Sequence, residues 1–156
     1  CVAFTDADLP YGLEVIDLMF SQMQQNPNVA LLYGSRSHPE SSYREMYGFV
    51  RYLGRTFFSF LVRILALPKV LDTQCGVKMM KQELVSLLSR VSSISRFAFD
   101  IEMFVIAEVN NLEIKEFPVD LDQHGQSSVR IVVDTFLMIV DLISIRFNKI
   151  SGKYHK

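Results

Sequence analysis

Cysteine is scarce: only Cys1 and Cys75 occur among the 156 residues. Two thiols cannot build a disulfide framework, which points to a reducing compartment. An excess of either charge is missing too, since 16 Lys and Arg stand against 17 Asp and Glu for a formal net charge of −1. Without a basic field, nucleic acid is not an expected partner. No uncharged apolar run reaches the roughly 18 residues that suggest a membrane span, and the opening residues do not read as a secretory leader. Internal repeats and low-complexity tracts are absent as well. So is an initiator Met, and the chain opens on Cys-Val-Ala-Phe, already inside a strand-like run. A parallel-sheet strand with a carboxylate at its C-terminal end normally has partner strands earlier. The expectation is therefore the C-terminal part of a larger domain.

What is present is ordinary globular composition, 49% hydrophobic and 21% charged, at a length that fits one domain with a sizeable core. Residues 1–5 read as a buried strand ending in the loop Asp6 to Pro10. Leu13, Ile16, Met19, Phe20 and Met23 recur at helical spacing, so 12–25 reads as an amphipathic helix stopped by Asn26-Pro27. Val29 to Tyr33 is a second strand, and this strand, helix, strand order is an α/β signature. A polar loop over 37–44 precedes a long aromatic and aliphatic helical pattern from Glu45 to Leu67, stopped by Pro68. A loop and then a strand follow within 71–80. Further elements are a short helix from Gln82 to Leu88, a helix from Phe99 to Val109, and a strand from Glu113 to Asp120 that Pro118 places at an edge or bend.

The last helical pattern covers 128–150, ahead of a tail with Lys149, Lys153 and Lys156. Asp134, Asp141 and Asn148 repeat every seven residues beside a broad face of Val132, Val133, Phe136, Leu137, Ile139, Val140, Ile143 and Phe147. Two readings are open. Either this is a core helix with one wet polar stripe, or it lies on an anionic membrane surface. The same choice applies to 45–67.

Chemistry concentrates first at Asp6 and Asp8. In extended backbone, side chains two residues apart share a face, so the two carboxylates can converge on one point. Two such charges need a cation between them or a shared proton, and a hard divalent ion, Mg²⁺ or Mn²⁺, is the natural occupant. Asp-x-Asp after a strand also begins haloacid-dehalogenase phosphatases, but Leu9-Pro10 fits poorly where those enzymes carry a small pair. Arg51 and Arg55 lie on one helix face, where like charges cost roughly 0.2–0.5 kcal/mol. Acidic side chains or a phosphate would offset them, and guanidinium forks suit phosphate. Arg36 at a strand end is a third such cation. Asp72-Thr73-Gln74-Cys75-Gly76 and Phe99-Asp100-Ile101-Glu102 embed carboxylates in apolar surroundings, so each needs a partner or a function. The plainer readings are a turn former at Asp72 and a helix cap at Asp100. Gly125 to Arg130 is small, polar and basic at a helix start, a place that suits phosphate. Cys75 reads as a packing residue.

In this order, Thr5-Asp6-Ala7-Asp8-Leu9, Gly34-Ser35-Arg36, Arg51 to Arg55, Asp72 to Lys78, Arg96 to Glu102 and Gly125 to Arg130 resemble the family-2 glycosyltransferases of the GT-A fold. The likeness is to those acting with dolichyl or polyprenyl phosphate, and Asp-Thr-Gln-Cys-Gly is its most specific member. It implies a mixed α/β sheet flanked by helices, with 1–127 as the C-terminal part of the catalytic domain and 128–156 as an amphipathic helix with a basic tail. It further implies that Asp6 and Asp8 hold Mg²⁺ or Mn²⁺ on the diphosphate of a nucleotide sugar, of UDP-glucose or GDP-mannose type, with Asp8 catalytic. Arg36, Arg51, Arg55, Ser128 and Arg130 would face phosphate groups, while Gln74, Gly76, Asp100 and Glu102 shape the site. The side chain two residues after Asp8, where related enzymes often carry a polar ligand, is Pro10 and supplies none. The family's first strands, which grip base and ribose, have no counterpart here, so the chain alone is expected to be inactive.

The acceptor decides the remaining chemistry. A lipid phosphate is largely ionised at neutral pH and attacks without a base, with inversion at the sugar. A sugar hydroxyl, as in cell-envelope polysaccharide synthesis, needs a general base, for which Asp72 is the candidate. The expected place of action is the cytoplasmic face of a membrane. A non-catalytic membrane-surface module, with Asp6 and Asp8 merely capping, is the competitor from another class.

Overall fold

The computed structural model describes residues 1–7, 9–41, 58, 60–66, 70, 72–95, 98–120 and 131–155, with 131–135 described by backbone alone. Asp8, Arg51, Arg55, Ser128 and Arg130 lie outside the described residues.

Strand β1 (Val2–Thr5) is followed by helix α1 (Glu14–Gln25) and strand β2 (Val29–Ser35). Residues 60–65 are helical. Strand β3 (Val77–Met80), helices α2 (Gln82–Val91) and α3 (Phe99–Val109), strand β4 (Glu113–Pro118) and helix α4 (Ile131–Ile150) complete the order. The strands form one mixed sheet in the order β1-β3-β2-β4. β3 runs antiparallel to both β1 and β2, and β2 runs parallel to β4. This is the mixed α/β architecture expected, and Pro118 does sit on an edge strand, where a missing N–H is harmless.

β2 is buried at every position, as a continuous apolar run in the middle of a covered sheet should be. Alternation sends its side chains to two cores. Leu31 and Tyr33 join a large core with α2, α3, α4 and Val62 and Ala66, and Tyr33 meets Phe104 edge-on at 4.9 Å. Leu32 joins a smaller core with Met19, Met23, Val77, Met79 and Cys75. At Gly34 a Cβ would lie 2.6 Å from Val77 Cγ1 and 2.7 Å from Cys75 Sγ, so only glycine permits this approach.

Two expectations need correction. β1 is not a buried strand: Val2 and Phe4 are each 40% exposed. It stands at the sheet edge, and its described neighbour β3 comes later in the chain and runs antiparallel. The wet stripe on α4 is the second: Leu142 and Ile145 do join the large core, but the polar stripe turns inward with them. Asp141 is 4% exposed, and Asn148 donates inward to Ser93 Oγ and Tyr154 Oη, both at 3.2 Å. Phe136, Ile143, Phe147 and Ile150 face outward, Phe147 and Ile150 each at 70% exposure. The side that carries Asp141, Leu142 and Ile145 packs inward, and the side that carries Phe136, Ile143 and Phe147 is left outward. Phe60 and Ile64 are exposed in the same way on 60–65. No helix among the described residues is long and apolar enough to cross a membrane.

Candidate functional site

The chemistry-bearing residues meet at one end of the sheet, where β1 and β2 finish and β3 begins. Asp6 follows β1, and its N–H donates to Gly76 O at 2.9 Å. The Asp6 carboxylate lies against Gly76 itself: a Cβ there would stand 1.8 Å from Asp6 Oδ2. A side chain at Gly76 would push the Asp6 carboxylate out of this place. Asp6 is exposed, its carboxylate a hard oxygen donor suited to Mg²⁺ or Mn²⁺. Among the described residues, no group of three His, Cys, Asp or Glu could hold a metal ion. Of the pair, Asp6 is described and Asp8 lies outside the described residues.

Arg36 and Asp72, read separately as a phosphate ligand and a base, come together. Arg36 Nε donates to Asp72 Oδ2 and Nη2 to Oδ1, both at 2.8 Å, and the Arg36 N–H donates to Oδ2 at 3.1 Å. This bidentate fork fixes the guanidinium in orientation as well as in place. Burial opposes the Arg36 charge, but the hydrogen-bonded Asp72 carboxylate outweighs it and raises the pKa. Tyr11 and the Cys75 thiol lie buried near this pair. Burial, with Asp72 nearby, pushes that thiol up, so Cys75 is a packing residue rather than a thiolate nucleophile. Two buried polar atoms in the same region, Gln74 Nε2 and Ser35 Oγ, have no hydrogen-bond partner among the described residues. Such groups suit a bound polar ligand.

Asp100 is not the helix cap. Ala98 holds that position, and Asp100 sits in the first turn of α3, 3.1 Å from Lys78 Nζ. Burial pushes the Asp100 carboxyl up, Lys78 pulls it back, and the negative charge of Asp6 adds to the rise. Lys78 is fully buried and also donates to Cys75 O at 2.6 Å. Sequence reasoning passed over this lysine, although a lone cation between Val77 and Met79 in an apolar strand was a visible signal. Glu102, two residues beyond Asp100, is fully buried and takes no part at this end of the sheet. It accepts from Ser93 Oγ at 2.9 Å, Ile94 N–H at 3.0 Å and Tyr154 Oη at 2.7 Å, as well as from Ser92.

Comparison with known proteins finds relatives of one kind. A dolichyl-phosphate beta-glucosyltransferase of Trichomonas vaginalis is 31% identical over 116 residues, 74% of this chain and 34% of that protein. The human dolichyl-phosphate beta-glucosyltransferase is 29% identical over 143 residues, 91% of this chain and 44% of that protein. The Dictyostelium discoideum enzyme is 29% identical over 126 residues, 80% of this chain and 38% of that protein. The chain is dolichyl-phosphate glucosyltransferase-like. No family model matches it. This glucosyltransferase-like chain spans less than half the length of these curated relatives.

Proposed function

We propose that the chain carries the metal hook and the acceptor side of a family-2 glycosyltransferase. The reaction is transfer of glucose, with inversion, from a nucleotide-diphosphate sugar to dolichyl or polyprenyl phosphate. The observation that carries this reading is Asp6, exposed at the end of β1 and lying against Gly76, in a chain resembling dolichyl-phosphate glucosyltransferases. Together with Asp8, Asp6 would hold Mg²⁺ or Mn²⁺. When bound, the ion supplies neutralising charge for the departing diphosphate.

The chain's own residues do the rest. Asp72 orients Arg36, and a guanidinium so fixed can align a phosphate without first losing its own freedom. Arg51, Arg55, Ser128 and Arg130 are proposed to bind phosphate oxygens beside it. Both Asp72 oxygens already accept from Arg36, which favours the acceptor that needs no base, a lipid phosphate, over a sugar hydroxyl. Glucose is favoured as the donor sugar by the names of the relatives. The exposed apolar face of α4, with Arg146 and Lys153 also exposed, supports action at an anionic membrane surface, proposed here as the cytoplasmic face.

The test is a transfer assay with full-length protein, labelled nucleotide glucose, dolichyl phosphate and Mn²⁺. Asp6→Ala should reduce transfer roughly 100-fold or more, with an unchanged melting curve. Transfer at the wild-type rate would remove Asp6 from the chemistry.

A further inference from the structure

Lys78 is the least expected side chain in the sheet. Its register partners are Phe4 on β1 and Tyr33 on β2, so the three side chains form one row on the face that carries the large core. The side chain is fully buried. Its Nζ lies 3.1 Å from Asp100 Oδ2, 2.6 Å from Cys75 O and 5.8 Å from the centre of the Phe4 ring. Stability is a poor explanation for such a group. Taking an ammonium out of water costs several kcal/mol, and replacing a buried ion pair by apolar side chains is often neutral or stabilising.

Position explains it better. The bond from Nζ to Cys75 O fixes the peptide unit that joins Cys75 to Gly76. The same short segment holds Asp6, because Gly76 O accepts the Asp6 N–H at 2.9 Å and Gly76 lies against the Asp6 carboxylate. Lys78 and Asp6 therefore both bond to one dipeptide, and the β1–β3 register puts them on one face of the sheet. Asp100, held in the first turn of α3, anchors the ammonium so that it cannot swing away.

We infer that Lys78 is a positioning residue for Asp6: by holding the Cys75–Gly76 segment in place, it sets where the Asp6 carboxylate stands for a divalent cation. The inference rests on the metal reading of Asp6 proposed above. It makes a prediction of unusual sign. A positive charge close to a cation site repels the cation, so on Coulomb's law alone its removal should tighten binding. If Lys78 acts by position, its removal weakens binding instead.

The experiment titrates the full chain with Mn²⁺ by electron paramagnetic resonance and follows amide hydrogen exchange at Asp6, for wild type, Lys78→Met and Lys78→Met/Asp100→Asn. The double variant leaves no buried carboxylate unpaired, which protects folding. Both variants should bind Mn²⁺ roughly 10- to 100-fold more weakly, the usual cost of losing an outer partner of a metal ligand. The Asp6 amide should exchange roughly tenfold faster or more, while amides of α2 keep their protection. Equal or tighter Mn²⁺ binding with unchanged Asp6 exchange would overturn the inference. If wild type and Asp6→Ala bind Mn²⁺ equally poorly, the metal reading is what fails. Asp6 exchange then decides the role of Lys78 alone, faster exchange supporting it and unchanged exchange ending it.

Discussion

Glu102 shows how much a single carboxylate can organise when every lone pair is used. Ser92 and Ser93 donate to it from the end of α2 and the following loop, and Tyr154 reaches it from beyond α4. Burial alone would raise its pKa, but these hydrogen bonds and those from the Ser93 and Ile94 backbone outweigh burial and hold it below the ordinary 4.5. The sign of the pH effect follows. The folded carboxyl binds a proton less readily than the unfolded one, so its stabilisation is complete above the unfolded value and fades as pH falls through the folded value. Urea unfolding of Glu102→Gln across the acid range should show lower stability than wild type at neutral pH and a gap that closes as pH falls. A gap of constant size would mean that Glu102 contributes through packing rather than charge. Neutral-pH destabilisation of about 2 kcal/mol is expected for hydrogen bonds to a buried charged group.

At the scale of elements, α4 is the informative case. Its seven-residue repeat of Asp134, Asp141 and Asn148 was legible as a polar stripe, but periodicity says only that a helix has two sides, not which one meets water. The partners that pull Asn148 inward, Ser93 and Tyr154, come from far along the chain or from past the helix end, where no local pattern could reveal them. Lys149 is drawn in likewise, 2.6 Å from Glu108 Oε2. β1 shows a related gap: an apolar run signals a strand, yet its burial depends on what covers it, and that is not written locally. The alternation of strands and helices and the Pro118 edge strand were legible, whereas the pairing of Arg36 with Asp72 was not, because it joins side chains 36 residues apart. The outward face of α4 carries its own prediction. Ile143→Ser/Phe147→Ser should lower binding to vesicles containing anionic lipid by roughly tenfold or more, since a buried Phe or Ile side chain contributes about 1.5–3 kcal/mol. Both positions are exposed, so the melting temperature should hold. Vesicle binding equal to wild type would assign the stripe to something other than a bilayer.

For the whole molecule, one end of the sheet gathers the chemistry and one outer helix face gathers the apolar surface, and α3 connects them. Asp100 in its first turn holds Lys78 beside the Cys75–Gly76 segment, while Glu102 in the same turn is tied to Tyr154 beyond α4. The relatives support the lipid phosphate as acceptor, and the Arg36–Asp72 fork supports a reaction that proceeds without a general base. The most direct measurement is mass spectrometry of the lipid product after full-length protein is incubated with nucleotide glucose, Mn²⁺ and a mixture of dolichyl phosphate and dolichol. Glucose joined through the phosphate of dolichyl phosphate, with none on dolichol, is the result expected. Glucose on a hydroxyl, or phosphate-linked product formed equally well by Asp6→Ala, would contradict the account.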